Sequence, residues 1–217
     1  MAMYETEEEQ IEALKKWWAD NGRAVMLGLL LGVALILGWR FWGDHQRTQA
    51  EEASSLYESL IEGMGAESDA AALLSLQTQL GRDYADTPYA SLAALAMAKL
   101  YVSQHDLKAA QRQLSWVLEN EADENLGQVA RLRLGRILLA VGEKEKALTL
   151  AKAPYAEAFL ADVAELQGDA LLALGRLDEA RLAYQEALSA PMAIGDRQGL
   201  QMKYDDLKGV QAADSAS

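Results

Sequence analysis

Hydrophobic positions along this chain follow two patterns. From Ala24 to Trp39, sixteen consecutive residues carry no charged or strongly polar side chain, and widening the window to Gly22–Trp42 adds arginine only near its edges. After Trp42 apolar residues recur at three- and four-residue spacing, broken by short polar turns and with no strand-like alternation. The twenty-one residues of the first pattern predict a helix about 31 Å long at about 1.5 Å per residue, which matches the hydrocarbon core of a lipid bilayer. Arg23 and Arg40 can snorkel to headgroups, Trp39 and Trp42 suit one interface, and Trp17 and Trp18 suit the other. A soluble core helix needs a polar stripe or a large protein around it, and this segment offers neither. Residues 22–42 therefore read as a transmembrane helix.

Both flanks of that helix are also predicted helical. Residues 1–21 form an amphipathic segment: Thr6 and Glu9 have capping-box spacing, Ile11, Leu14 and Trp18 share a face, and Lys15 and Lys16 come late, where the helix dipole favours cations. It suits the membrane surface or a cytosolic partner. Residues 43–67 form a connector with Ala53, Leu56, Leu60 and Ile61 on one side, ending where Gly63 and Gly65 interrupt it. Cleavage as a secretory signal is not expected. Glu5, Glu7, Glu8, Glu9 and Glu12 precede the apolar run, and the nearest small-residue candidates, Thr48 and Ala50, lie too far beyond it. The absence of cysteine excludes a lipoprotein anchor. Lys15, Lys16 and Arg23 before the span against Arg40 and Arg47 after it place the amino terminus in the cytoplasm by a narrow margin, with the opposite topology left open. Inside the span, Gly28 and Gly32 make a GxxxG pair suited to close approach of a partner helix or a second copy, or else simply facing lipid.

The region 68–210 carries an internal period. Small residues fall at Ala98 and Ala110, Gly135 and Ala147, and Gly168 and Ala180, each pair twelve apart. Tyr101, Leu138 and Leu171 come three residues after the first member, and His105, Gly142 and Gly175 come seven after it. The units start 37 and then 33 residues apart, close to the period of about 34 of tetratricopeptide repeats, in which two helices pack as a hairpin. The last unit matches best: after Gly168 and Ala180 it has Tyr184 and Ala187 where the repeat places an aromatic and a small residue. The middle unit has Ala151 at the aromatic position and Pro154 shortening its second helix, and the first has Leu114 and Trp116 there. The fold class expected is all-α, one transmembrane helix followed by a tetratricopeptide-like solenoid of helical hairpins, with Thr87 and Pro88 opening one helix and a small, polar, disordered tail at 211–217.

Charge and chemistry narrow the function. Residues 44–217 hold 16 Lys plus Arg against 27 Asp plus Glu, a poor composition for binding nucleic acid. Neither His45 nor His105 has neighbours at metal-ligand spacing, and the acidic run EADEN reads as a solvated helix end. No nucleophile elbow, phosphate loop or dinucleotide fingerprint is present. No catalytic, cofactor or metal site is expected; a stacked-hairpin surface usually holds a peptide or another protein.

Several unlike pieces, in order along nearly the whole chain, resemble one family. MYETEEEQIEALKKWWADNGRAV, the span ending GWRFW, the following HQ, YASLAALAMAKLYV, DENL, LRLGRILL, VAELQGDALLALG and LQMKYDDL are similar to the YfgM family of ancillary SecYEG translocon subunits. The resemblance implies a single-pass inner-membrane protein of a Gram-negative bacterium, acting without catalysis. Its periplasmic repeat domain would associate with SecYEG and the periplasmic chaperone PpiD, and assist unfolded or newly exported proteins as a chaperone-like adaptor. It implies as well a link to stress signalling through the Rcs response regulator. The repeats alone equally fit a membrane-tethered scaffold for assembly of another envelope complex.

Overall fold

The computed structural model describes residues 7–66, 69–120, 123–191 and 197–214. Among them are nine α-helices, one short 3-10 turn and no strand. The helices are α1 (Glu7–Gly65), α2 (Ala70–Asp83), α3 (Pro88–Ser103), α4 (Leu107–Asn120), α5 (Glu124–Ala140), α6 (Lys144–Ala151), α7 (Leu160–Ala173), α8 (Leu177–Ser189) and α9 (Arg197–Asp214). The chain divides into two compact units, Met1–Glu51 and Glu52–Ser217.

The first unit is one helix. The amphipathic segment, the apolar span and the start of the connector are all turns of α1, so the upstream segment is continuous with the span rather than a separate element. This is the chain's one helix, among the described residues, that is long and apolar enough to cross a membrane. Within the span 24–42 the large apolar side chains are exposed, Leu35 at 74% and Trp39 at 81%. Thr6 of the expected capping box lies outside the described residues.

The second unit begins inside the expected connector. Ala53 and Leu60 of α1 are fully buried in one cluster with Leu73, Leu80, Ala90, Ala93 and Met97, and the Tyr84 hydroxyl donates to the Glu52 carboxylate at 2.9 Å. The connector's second half is thus part of the repeat domain's core. Gly63 lies within the helix, which stops only at Gly65, because packing of Leu60 outweighs the roughly 1 kcal/mol a glycine costs a helix interior. At the other end, α9 runs through Asp214 and buries Leu200 and Leu207. It takes in the first part of the expected tail, while 215–217 lie outside the described residues.

Between these ends, α3–α4, α5–α6 and α7–α8 form three hairpins, and α3, α5 and α7 also touch in succession. The hairpin turns explain the seventh-residue periodicity. His105, Gly142 and Gly175 have φ of 61°, 84° and 76°, the left-handed region glycine tolerates best. In each case the following amide closes a Schellman turn: Asp106 N–H donates to Tyr101 O at 2.9 Å, Glu143 to Leu138 O at 2.8 Å and Arg176 to Leu171 O at 2.9 Å. The periodic Tyr101, Leu138 and Leu171 are thus the residues whose carbonyls end each first helix. Asp106 then caps α4, its carboxylate accepting from Ala109 N–H at 2.9 Å. Thr87 does precede Pro88 at the start of α3, but its hydroxyl donates back to Tyr84 O at 2.8 Å instead of accepting from the helix.

His105 is the one non-glycine residue with positive φ among those described. A side chain there carries strain of about 1 kcal/mol or more, partly offset by the entropy glycine would lose. His105→Gly is expected to raise stability by about 0.5–1 kcal/mol, read as a higher urea midpoint at unchanged m-value; Gly142→Ala and Gly175→Ala should lower it by a similar amount.

Candidate functional site

The small residues that set the repeat all lie inside the second unit. Ala98, Ala110, Ala147, Ala180, Tyr184 and Ala187 belong to the main core cluster, and Gly135 and Gly168 are buried in α5 and α7. What fills the space over the first helix differs from unit to unit. In the last, the Tyr184 ring lies against Gly168 so closely that a Cβ there would collide with it. In the middle, Ala151 is small, and the space is taken from elsewhere. Leu166 of α7 reaches over Gly135, where a Cβ would come within 2.5 Å of its Cδ2, and Tyr155 and Phe159 pack on the cluster of Leu132, Ala151, Val163 and Leu166. These two aromatics come from the irregular stretch after α6, which ends at Ala151, three residues ahead of Pro154. That stretch is pinned to α5: the Gln128 side chain accepts from Ala156 N–H at 2.7 Å, and the Arg131 guanidinium sits 5.4 Å from the Tyr155 ring centroid.

The first repeat has a groove beside this crossing. Leu114 takes the place Tyr184 has in the last unit, with a shorter side chain, and there α3, α4 and α5 enclose a groove of about 430 Å³. Ala98, Val102, Leu107, Leu114, Ile137 and Ala140 make its apolar lining, and Lys99, Arg133 and Arg136 supply cations. Arg136 is shared with Asp162 of α7 at 2.8 Å, whereas Lys99 and Arg133 are exposed and form no ion pair among the described residues. An apolar floor beside cations can hold a polypeptide side-chain cluster. Of these residues the repeat pattern indicated Ala98 and Leu114. Its two arginines show in the sequence only as part of RLRLGR, a basic run at 131–136 in an acidic domain.

A second polar feature ties the end of the domain together. The Tyr184 hydroxyl donates to Asp169 Oδ1 at 2.7 Å, and Lys203 of α9 donates to Glu165 at 2.8 Å and to both Asp169 oxygens at 2.8 and 2.9 Å. Burial, then the hydrogen bond to Asp169, pushes the Tyr184 hydroxyl far above its ordinary range. At Lys203 burial acts to lower the pKa, but the bonds to Asp169 and Glu165 outweigh it and the net shift is upward. Both folded-state values therefore exceed the unfolded ones, so the stability they contribute is complete below the unfolded values of 10.0 and 10.5 and is lost as pH rises through the folded ones. Urea midpoints should fall between pH 8 and pH 11, and Tyr184→Phe with Lys203→Met should make that fall shallower.

Gly28 and Gly32 lie one turn apart on α1, and a Cβ built on either meets open space.

A tetratricopeptide repeat-like domain matches residues 15–209. A protein of Escherichia coli named ancillary SecYEG translocon subunit is 33% identical over 211 residues, covering 95% of this chain and 99% of its own. One of the same name from Haemophilus influenzae is 31% identical over 207 residues, covering 95% and 100%, and one from Neisseria gonorrhoeae is 26% identical over 209 residues, covering 96% and 100%. No solved structure matches the chain. With an anchor-type helix ahead of three repeat hairpins and relatives aligned from end to end, the chain belongs to the family of ancillary SecYEG translocon subunits.

Proposed function

We propose that this chain is a single-pass inner-membrane protein that associates with SecYEG, its amino terminus cytoplasmic and its repeat domain periplasmic, where it binds PpiD and holds segments of newly exported proteins without catalysis. The observation that carries the reading is the joining, in one chain, of a helix fit to cross the bilayer to an open, cation-rimmed apolar groove in a chain whose relatives bear the translocon name. Tethering is the mechanism: confinement beside the translocon raises the effective concentration of a weak surface toward the millimolar range. Gly28 and Gly32 supply the approach surface for a translocon helix, and the cytoplasmic segment is the part placed to influence Rcs-type signalling.

The test is co-purification of the full chain with SecYEG from detergent, combined with protease treatment of cells whose outer membrane has been opened. Recovery of SecYEG together with digestion of the repeat domain is the expected result. A repeat domain that survives until the inner membrane is broken overturns the topology, and loss of SecYEG from the purified material overturns the association. Gly28→Ile with Gly32→Ile should lower SecYEG recovery several-fold while leaving the chain in the membrane.

A further inference from the structure

We infer that the groove between α3, α4 and α5 selects polypeptide segments in which apolar side chains are flanked by carboxylates. The inference rests on the proposed holding of polypeptide by the repeat domain, and adds which segments are held.

Charge is the first argument. Residues 44–217 hold 27 Asp plus Glu against 16 Lys plus Arg, so their average surface repels acidic chains and attracts basic ones. The groove reverses that locally: Lys99 and Arg133 border it with no ion-pair partner among the described residues, and Arg136 beside them is only partly satisfied by Asp162. No acidic residue lines it. Cations left unpaired in an acidic domain, around an apolar floor of Val102, Leu114 and Ile137, match a ligand with the complementary pattern. A basic segment would meet like charge there, which costs more than an absent attraction gives back.

Size is the second. The groove follows α5 from Arg133 to Ala140, about 10 Å at about 1.5 Å per residue, the length of roughly three extended residues at about 3.3 Å each. One or two apolar side chains fill the floor, which leaves the flanking positions beside the cations. The arginines can take a carboxylate with two parallel N–H donors, while Lys99 acts as a point charge.

The experiment uses the full chain in lipid nanodiscs and fluorescence anisotropy of labelled twelve-residue peptides that share a Leu-Leu centre and differ only in flanks of Glu, Gln or Lys. The Glu-flanked peptide should bind at least tenfold tighter than the Gln-flanked one and lose most of that margin between low and high salt. Lys99→Glu with Arg133→Glu should abolish the preference and favour the Lys-flanked peptide, with the helical circular dichroism of the wild type retained. Ala140→Trp, at an exposed edge of the groove, should weaken all three. Equal binding of all peptides, unaffected by charge reversal, overturns the selectivity while leaving polypeptide holding intact; absence of binding by any peptide overturns both.

Discussion

Gly168→Val is expected to destabilise the repeat domain by about 3 kcal/mol, at the upper end of the usual cost of overpacking a helix interface. For a domain of this size that is a fall of roughly 6–12 °C in Tm. The reason is what lies over Gly168. Tyr184 is 0% exposed, and its ring occupies the volume where a Cβ on Gly168 would go. It has little room to withdraw, because its hydroxyl is held by Asp169 at 2.7 Å, which is in turn held by Lys203. Gly168→Ala should cost less, about 2 kcal/mol, since the alanine regains about 1 kcal/mol of helix propensity. Gly135→Ala is the contrast: its Cβ would meet the branched end of Leu166, which can rotate aside, and a net change under about 1 kcal/mol is expected. In a double-mutant cycle Gly168→Ala should be largely relieved by Tyr184→Leu, giving a coupling of about 1–2 kcal/mol. Equal costs at Gly135 and Gly168, or strict additivity with Tyr184→Leu, would show that the ring does not set the limit.

That contrast marks where sequence reading succeeds and where it stops. The twelve-residue pairs and the seventh-residue turns were legible because they are backbone requirements repeated in every unit. Two helices that approach closely need small residues at the crossing, and a Schellman turn needs a residue that tolerates positive φ, as at Gly142 and Gly175. The all-α class and the apolar span were legible for the same reason. What fills each crossing was not. Tyr184 does it in register, whereas Leu166, Tyr155 and Phe159 do it from a neighbouring helix and an irregular segment, where no period points to them. The Glu165–Asp169–Lys203 cluster joins residues 34 and 38 apart, a pairing that exists only once α9 has docked. The packing of the connector's second half is hidden for a related reason. Ala53 and Leu60 look like one stripe of a connector helix until Leu73, Leu80 and Met97 close over them. The groove is the most instructive case. It lies beside Leu114, the residue at the position of the last unit's tyrosine, so a departure from the repeat pattern, which in sequence reads as degeneracy, coincides with an open part of the domain.

Replacing Leu30 and Leu31 together by arginine should release the chain from the membrane, and with it from the translocon. Both side chains are exposed, at 62% and 57%, so the change acts on insertion rather than on folding of the repeat domain. Residues 22–42 contain ten Leu, Ile, Val or Phe residues, each favouring insertion by about 0.3–0.6 kcal/mol, a total of roughly 3–6 kcal/mol. Two arginines near the centre cost about 5–7 kcal/mol and remove two of the ten contributions as well. The balance reverses, and the variant should leave the carbonate-resistant membrane fraction almost entirely. A single Leu30→Arg, near balance, should divide between fractions. The pair of variants separates anchoring from affinity, because Gly28→Ile with Gly32→Ile leaves the apolar balance favourable and alters only the approach face. If tethering is what makes a weak surface effective, the double-arginine chain recovers no SecYEG even though its helical hairpins are intact. Were it still to co-purify with SecYEG from the soluble fraction, the repeat domain alone would carry the association, and α1 would serve only to set the compartment in which the groove works.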